Sequence, residues 1–338
     1  VSNIRGSIDV SELFGETLVP LLADAGPITA ANLHLAGRWA NYTGSGSVWA
    51  YKAGLDVDMG GLRLRGTYSR DVRAANLSER FDKTGGVAVL DDPRTPNTVE
   101  AINVTRFSGG NPNVNPEKAD TLTVGAVLKP AFAPGLSVSV DYYDIRIKDA
   151  IGQLGSQAVL NGCLVANDPT LCSLVTLASD GTPLIVGDLF INVNQNRVRG
   201  LDVETSYTRP VRILGGDQEM VNLRVFASWL FENSQTLGSG LKTDRAGQTG
   251  IQQSDGAPYG LPSFKATGNV TYANDGFSIF LQGRYIGSGK QENRLGDVPL
   301  NHVDSAFYLD LRLSQKVKFG ADNEVELFGA VNNLTDQA

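Results

Sequence analysis

Polar and apolar residues alternate with period two along most of this chain, the pattern of strands whose successive side chains point to opposite faces. From Phe264 to Tyr272, Phe264, Ala266, Gly268, Val270 and Tyr272 share one face, and Lys265, Thr267, Asn269 and Thr271 share the other. Phe277, Ile279, Leu281, Gly283 and Tyr285 oppose Ser278, Phe280, Gln282 and Arg284 in the same way, and Phe307, Leu309, Leu311 and Leu313 oppose Tyr308, Asp310, Arg312 and Ser314. Carried through the sequence, the alternation predicts twelve strands near Ser7–Leu21, Leu33–Tyr42, Val48–Asp58, Leu62–Val72, Ala119–Lys129, Leu136–Lys148, Phe190–Tyr207, Glu219–Glu232, Leu261–Ala273, Phe277–Gly287, Asp304–Lys316 and Glu324–Asn333.

Alternation alone also fits a soluble sandwich, with one face wet and one packed on a second sheet. Three features favour an all-β transmembrane antiparallel barrel instead. Most segments are longer than globular strands and match the ~9 to 11 residues that a tilted strand needs to cross a bilayer. Phe264 and Tyr272, and likewise Phe277 and Tyr285, bracket the apolar face; eight residues at about 3.3 Å each and about 45° of tilt rise roughly 19 Å, suited to aromatic girdles. The connections also alternate: Leu22–Asn32, Met59–Gly61, Pro130–Gly135, Thr208–Gln218, Asn274–Gly276 and Val317–Asn323 are short, whereas Arg73–Lys118, Asp149–Leu189, Asn233–Gly260 and Ser288–Val303 are long, with Thr43–Ser47 the exception. Short turns inside and long loops outside are the outer-membrane pattern. If so, the first strand runs inward and the twelfth outward, both chain ends lie at the outer surface, and at least one strand is expected to be lacking at each end. One architecture then runs through residues 1–338 as a single region of a longer barrel.

Composition agrees. The 338 residues include 38 Gly but only two His, two Met and two Cys, with a mean hydropathy of -0.12. No window approaches the ~18 apolar residues of a membrane helix, and Val1 opens no secretory leader. A net charge of -7 with singly scattered cations leaves no basic cluster for a nucleic-acid partner. His34 and His302 stand apart, and no nucleophile elbow, zinc-protease or phosphate-loop motif occurs, so neither an enzyme nor a cofactor or metal is expected. Gly109-Gly110 lacks the Lys-Ser/Thr of a nucleotide loop and reads as a loop glycine pair.

The stretch GNPNVNPEKADTLTVG, Gly110–Gly125, resembles the Gly-Asn-Pro-x-Leu-x-Pro-Glu segment that leads into a strand of TonB-dependent outer-membrane receptors, with Val114 in place of Leu. RGTYSRDVRAAN (Arg65–Asn76) is similar to the family's strand ending in Arg-Ala-Pro, with Ala75 for Pro, and SELFGE with VPLL (Ser11–Leu22) to its E-x-x-x-E-x-x-x-P-L-L strand. GLSVSVDYYDIRIKDAI (Gly135–Ile151), NQNRVRGLDVETSY (Asn194–Tyr207), LPSFKATGNVTY (Leu261–Tyr272) and VNNLTD (Val331–Asp336) resemble later strands, in the family's order.

The resemblance implies a barrel of about twenty-two strands around a plug domain, of which this chain would supply twelve, without the plug or the final strand. It implies an outer-membrane receptor for TonB-energised uptake of a scarce nutrient, siderophore-bound iron, cobalamin or an oligosaccharide. The partners it implies are outer-membrane lipid, the small-molecule or oligosaccharide ligand, and the TonB complex through an N-terminal segment beyond this chain. A passive porin-like channel and a soluble β-sandwich adhesin are the alternatives. Specificity is expected in the loops Arg73–Lys118 and Asp149–Leu189, while Asp202, Glu204, Lys265, Arg284, Asp310 and Arg312 are expected to face a wet lumen, solvating it or holding the plug.

Two local features have their own readings. In the gate Asn111-Pro112…Pro116-Glu117, the prolines fix φ, bias Asn111 and Asn115 towards extended conformations and withhold ladder donors, steering a long loop into a strand without a register slip. Cys163 and Cys172, spaced wrongly for a Cys-x-x-Cys site, suit a disulfide in an oxidising compartment, with free thiols or a metal as the lesser alternatives. Closing that short ring contributes about 2 to 3 kcal/mol of loop order.

Overall fold

A computed structural model describes residues 6–94, 101–216, 218–236, 242–250, 261–293, 299–319 and 323–337. Its elements in chain order are β1 (Val10–Ala25), β2 (Ile28–Tyr42), β3 (Gly46–Met59), β4 (Leu62–Arg73), α1 (Leu77–Phe81), β5 (Lys83–Asp91), β6 (Ala101–Gly109), β7 (Glu117–Leu128) and β8 (Leu136–Gly152). There follow α2 (Ser156–Leu164), α3 (Pro169–Cys172), β9 (Val175–Leu177), β10 (Pro183–Leu189), β11 (Ile191–Pro210), β12 (Glu219–Thr236) and β13 (Lys242–Asp244). The last are β14 (Phe264–Asn274), β15 (Phe277–Ile286), β16 (Gly289–Lys290), β17 (His302–Val303), β18 (Ala306–Phe319) and β19 (Asn323–Val331).

Twelve strands form one antiparallel wall in the order β1-β2-β3-β4-β7-β8-β11-β12-β14-β15-β18-β19, with β13 paired to β12. These are the twelve strands that the alternation predicts. Among the described residues β1 and β19 are the edges. Several strands run farther than the pattern suggests: β1 reaches Ala25 and β2 begins at Ile28, so the expected turn Leu22–Asn32 shrinks to Gly26-Pro27, with Gly26 at φ +64. Apolar residues on both sides of that turn hide its boundary from a period-two reading. Residues 237–241 and 251–260 of the expected loop Asn233–Gly260, and 294–298 of Ser288–Val303, lie outside the described residues.

Directly paired residues share a face, so register carries one face across the wall. Leu201 opposes Tyr142 and Trp229, Trp229 opposes Phe264, and Tyr285 opposes Ala266 and Phe307. The Trp229, Phe264 and Tyr285 rings follow one another at 4.8 and 5.9 Å. Trp39 opposes Trp49, and Tyr51 lies 6.3 Å from Tyr68, extending the aromatic row over β2 to β4. Below the row this face is mostly Leu, Val, Ile, Ala and Gly, interrupted by Thr17, Thr205 and Gln315, and large apolar side chains on it are exposed, Trp49 to 64% and Leu327 to 62%. Leaving one large apolar side chain in water costs roughly 1.5 to 3 kcal/mol. A face made mostly of them requires an apolar surrounding.

The two longest connections are not irregular. Segments of Arg73–Lys118 and Asp149–Leu189 build a second, four-stranded sheet, β5-β6-β10-β9, in which β6 and β10 run parallel although they come from different loops. Leu90, Val104, Leu154, Val159, Leu160, Leu171, Val186 and Ile191 form one buried core beneath it. Here apolar residues sit at successive positions, as in Val87-Ala88-Val89-Leu90, and pairing joins residues far apart in sequence. Neither feature has a local period to read. This cap stands on the rim between β4 and β11. Cys163 and Cys172 are joined as a disulfide that ties α2 to α3.

Candidate functional site

The cap is fastened to the wall at the gate. Gly109 holds φ +105, and a Cβ on Gly110 would lie 2.6 to 2.7 Å from backbone atoms of Phe81 and Asp82, so the glycine pair serves close approach to the end of α1. There the Gly110 N–H donates to the Asp82 carbonyl at 2.7 Å and the Asn111 N–H to the Glu79 carbonyl at 3.0 Å. Asn111 Nδ2 donates to the Phe190 carbonyl at 2.8 Å, and its Oδ1 accepts the Asn113 N–H. Val114 is fully buried. Asn192 grips both loops: its Oδ1 accepts the Asn115 N–H and its Nδ2 donates to the carbonyls of Asn115 and Asp149, at 2.7 to 2.8 Å. Pro112 and Pro116 flank these contacts. Glu117 accepts from Arg73 Nε and from the Ile151 N–H, each at 2.7 Å.

Arg73 extends the chain of contacts to Glu79 at 2.9 Å. Glu79 in turn closes a capping box with Asn76, which starts α1. On the next position of that helix, Arg80 turns inward and is 6% exposed. Its Nη1 donates to the Thr43 carbonyl at 2.8 Å, and its Nη2 to the carbonyls of Gly44 at 3.2 Å and Pro112 at 2.9 Å. One guanidinium therefore joins the β2–β3 turn, the cap and the gate. Among these, the Asn76-x-x-Glu79 spacing was open to a sequence reading; the inward turn of Arg80 had no sequence signal.

Within the cap, Asp188 is buried and its Oδ1 accepts the Gly155 N–H at 3.0 Å. Burial pushes its carboxyl above the ordinary value, against the pull of that bond and of Arg106. The folded cap thus binds this proton more tightly than the unfolded chain. Its contribution is full below the ordinary carboxylate value near 3.8 and is lost as pH rises through the raised one. Asp188→Asn keeps the acceptor for Gly155 and removes the buried charge. It is expected to increase hydrogen-exchange protection of cap amides at pH 7 and to flatten the dependence between pH 4 and 7; an unchanged pH profile counts against this assignment.

The other face of the wall carries the charges. Register places Asp202, Ser228 and Lys265 side by side, with Asp141 opposite Asp202. Glu204 accepts from Arg224 at 2.6 Å, Arg284 lies 3.3 Å from Asp310, and Arg312 lies 3.5 Å from Glu326. Arg284 and Arg312 also lie over the rings of Tyr308 and Phe328, at 5.2 and 4.9 Å. The six polar candidates thus share one face. Further pairs extend the ladder: Arg38 with Glu12, and Asp56 accepting from Asn32 and paired with His34 and Arg63. Arg65 reaches Asp141 with two bonds of 2.9 and 2.7 Å across β7. It passes over Gly125, where a Cβ would strike the Asp141 carboxylate. Among the described residues no group of His, Cys, Asp and Glu is arranged to hold a metal ion.

Comparison with known proteins bears on this geometry. Residues 3–334 match the family described as TonB dependent receptor-like, beta-barrel. A variant of the ferric enterobactin receptor of Pseudomonas aeruginosa, solved with enterobactin, is similar at 14% identity and a TM-score of 0.64, over 97% of this chain and 40% of that one. The siderophore receptor PirA of Acinetobacter baumannii gives 13% and 0.63, over 98% and 43%. The ferripyoverdine receptor of Pseudomonas aeruginosa gives 12% and 0.53, over 97% and 35%. The chain spans less than half of each of these structures, and no curated protein matches it. A wall with one apolar, aromatic-edged face and one charged face agrees with the family match across nearly its whole length, and this chain belongs to the TonB-dependent receptor β-barrels of the bacterial outer membrane, a family of receptors rather than enzymes.

Proposed function

We propose that this chain forms wall and outer rim of a receptor that captures a scarce nutrient for TonB-energised uptake, with a ferric siderophore as the first ligand class to test and cobalamin or an oligosaccharide behind it. The observation that carries this reading is the cap. Two long loops are folded into one unit with its own core, disulfide and gate at one end of the wall strands, a built surface of the kind on which binding residues are commonly carried. In this reading the polar face lines the lumen, where its paired charges solvate the passage or hold a plug. The TonB complex would act through a segment outside this chain. The ligands bound in the similar structures, enterobactin and ferripyoverdine, support the siderophore class.

The test is uptake by cells carrying the full-length protein, with and without residues 77–109. Energy-dependent accumulation of ferric siderophores that disappears with the cap supports the reading. Uptake of cobalamin or oligosaccharide alone moves the ligand class, and unselective, energy-independent diffusion in both strains overturns it.

A further inference from the structure

Above the aromatic row, the outward face reverses its chemistry. From Tyr142 the same face of β8 continues as Asp144, Arg146 and Lys148, and from Leu201 the same face of β11 continues as Arg199 and Arg197. β4 and β7 add Arg70, Lys118 and Asp120. β12 adds Glu232, and β13 adds Lys242 and Asp244. The opposite face carries the apolar residues at this height, Ile145, Ile147 and Val198. Four residues beyond Tyr142, at about 3.3 Å each and about 45° of tilt, lie roughly 9 Å above the girdle, at the level of lipid headgroups rather than hydrocarbon.

Charges are layered there by sign. The carboxylates of Asp120, Asp144 and Glu232 are 12%, 8% and 3% exposed, while Arg146, Lys148 and Lys242 above them are 56%, 53% and 51% exposed. Each carboxylate is shared. Asp120 takes Arg70 at 2.7 Å and Lys148 at 3.4 Å, and Asp144 takes Arg197 at 2.6 Å and Arg146 at 2.8 Å. Glu232 takes Lys242 at 2.5 Å, Arg199 at 2.9 Å and Arg197 at 3.5 Å. Cations named here outnumber carboxylates seven to four. The protein's -7 overall makes this excess local. Arg146, Lys148, Arg197 and Lys242 also border a concave site of about 290 Å³ with Glu232 and Ser234.

We infer that this site holds the phosphates of an anionic outer-leaflet lipid whose acyl chains lie on the apolar face below it. Buried carboxylates fix the cations in place, which lowers the entropy lost on binding. The exposed ammonium and guanidinium groups retain donors for phosphate oxygens, and continuity with the girdle favours a lipid over a free anion.

The experiment uses the full-length receptor in neutral detergent, titrated with a phosphorylated glycolipid, the same lipid with its phosphates removed, and inorganic phosphate. Binding of the phosphorylated lipid alone is expected. In the triple variant Arg146→Gln, Lys148→Gln, Lys242→Gln, each carboxylate keeps a cation, Arg70, Arg197 or Arg199. At about fivefold per cation near a membrane surface, its affinity should fall on the order of a hundredfold, while Lys148→Arg with Lys242→Arg retains it. Equal binding of both lipids overturns the proposal, as does inorganic phosphate binding as tightly as the lipid. Should the triple variant fail to assemble, the comparison of the two lipids on the unaltered protein decides the matter.

Discussion

Arg80→Met is expected to release the cap from the rim while leaving the wall intact, at a cost of roughly 3 to 5 kcal/mol. A hydrogen bond from a charged donor is worth about 1.5 to 3 kcal/mol, and a buried acceptor left without a partner costs about 1 to 3. Arg80 serves three carbonyls, those of Thr43, Gly44 and Pro112. Methionine fills much of the same space and supplies no donor, so the loss falls on those contacts rather than on packing. Limited proteolysis of the full-length protein in outer membranes reads this out. New cleavage within 77–109, with wall strands still resistant, is the expected result. A variant whose cap resists protease as the parent does would show that the guanidinium is not what fastens it.

The wall was legible in the sequence because both of its faces are written locally. Each strand repeats every two residues, and the aromatics at Phe264, Tyr272, Phe277 and Tyr285 mark its height. The cap was not legible, for physical reasons. β5 is buried on one face by its own small core and carries Val87 and Val89, 78% and 65% exposed, on the other, so apolar residues run without alternation. Its pairing partners lie in another loop, and the parallel contact of β6 with β10 joins Thr105 to Ile185, which no local pattern encodes. The outward charges of β8 and β11 escaped for a different reason. Arg146 and Arg197 keep the phase of Tyr142 and Leu201, but the surroundings change above the girdle, and the meaning of that phase changes with them.

The alternating phase sets two neighbouring positions of β15 against each other. Leu281 lies midway between Phe277 and Tyr285, opposite Val270 and Leu311 on the apolar face, and is therefore placed near the middle of the hydrocarbon. Leu281→Arg is expected to cost about 2 to 4 kcal/mol, the penalty for an arginine on the lipid side of a barrel at the bilayer midplane. Its neighbour Gln282 points the other way, in register with Asn269 and Asp310. Gln282→Arg therefore adds a cation to a face that already pairs Arg284 with Asp310, and its effect is expected within about 0.5 kcal/mol of zero. Thermal unfolding of the two full-length variants in bilayers, with the yield of assembled protein, separates them. A large loss for Leu281→Arg beside near-parental behaviour of Gln282→Arg fixes which side of the wall meets lipid. Tolerance of both would mean that the apolar face meets water, because an unpaired arginine is costly against lipid and protein alike; equal losses would mean that the polar face is as closed to a charge as the apolar one, and either result overturns the assignment.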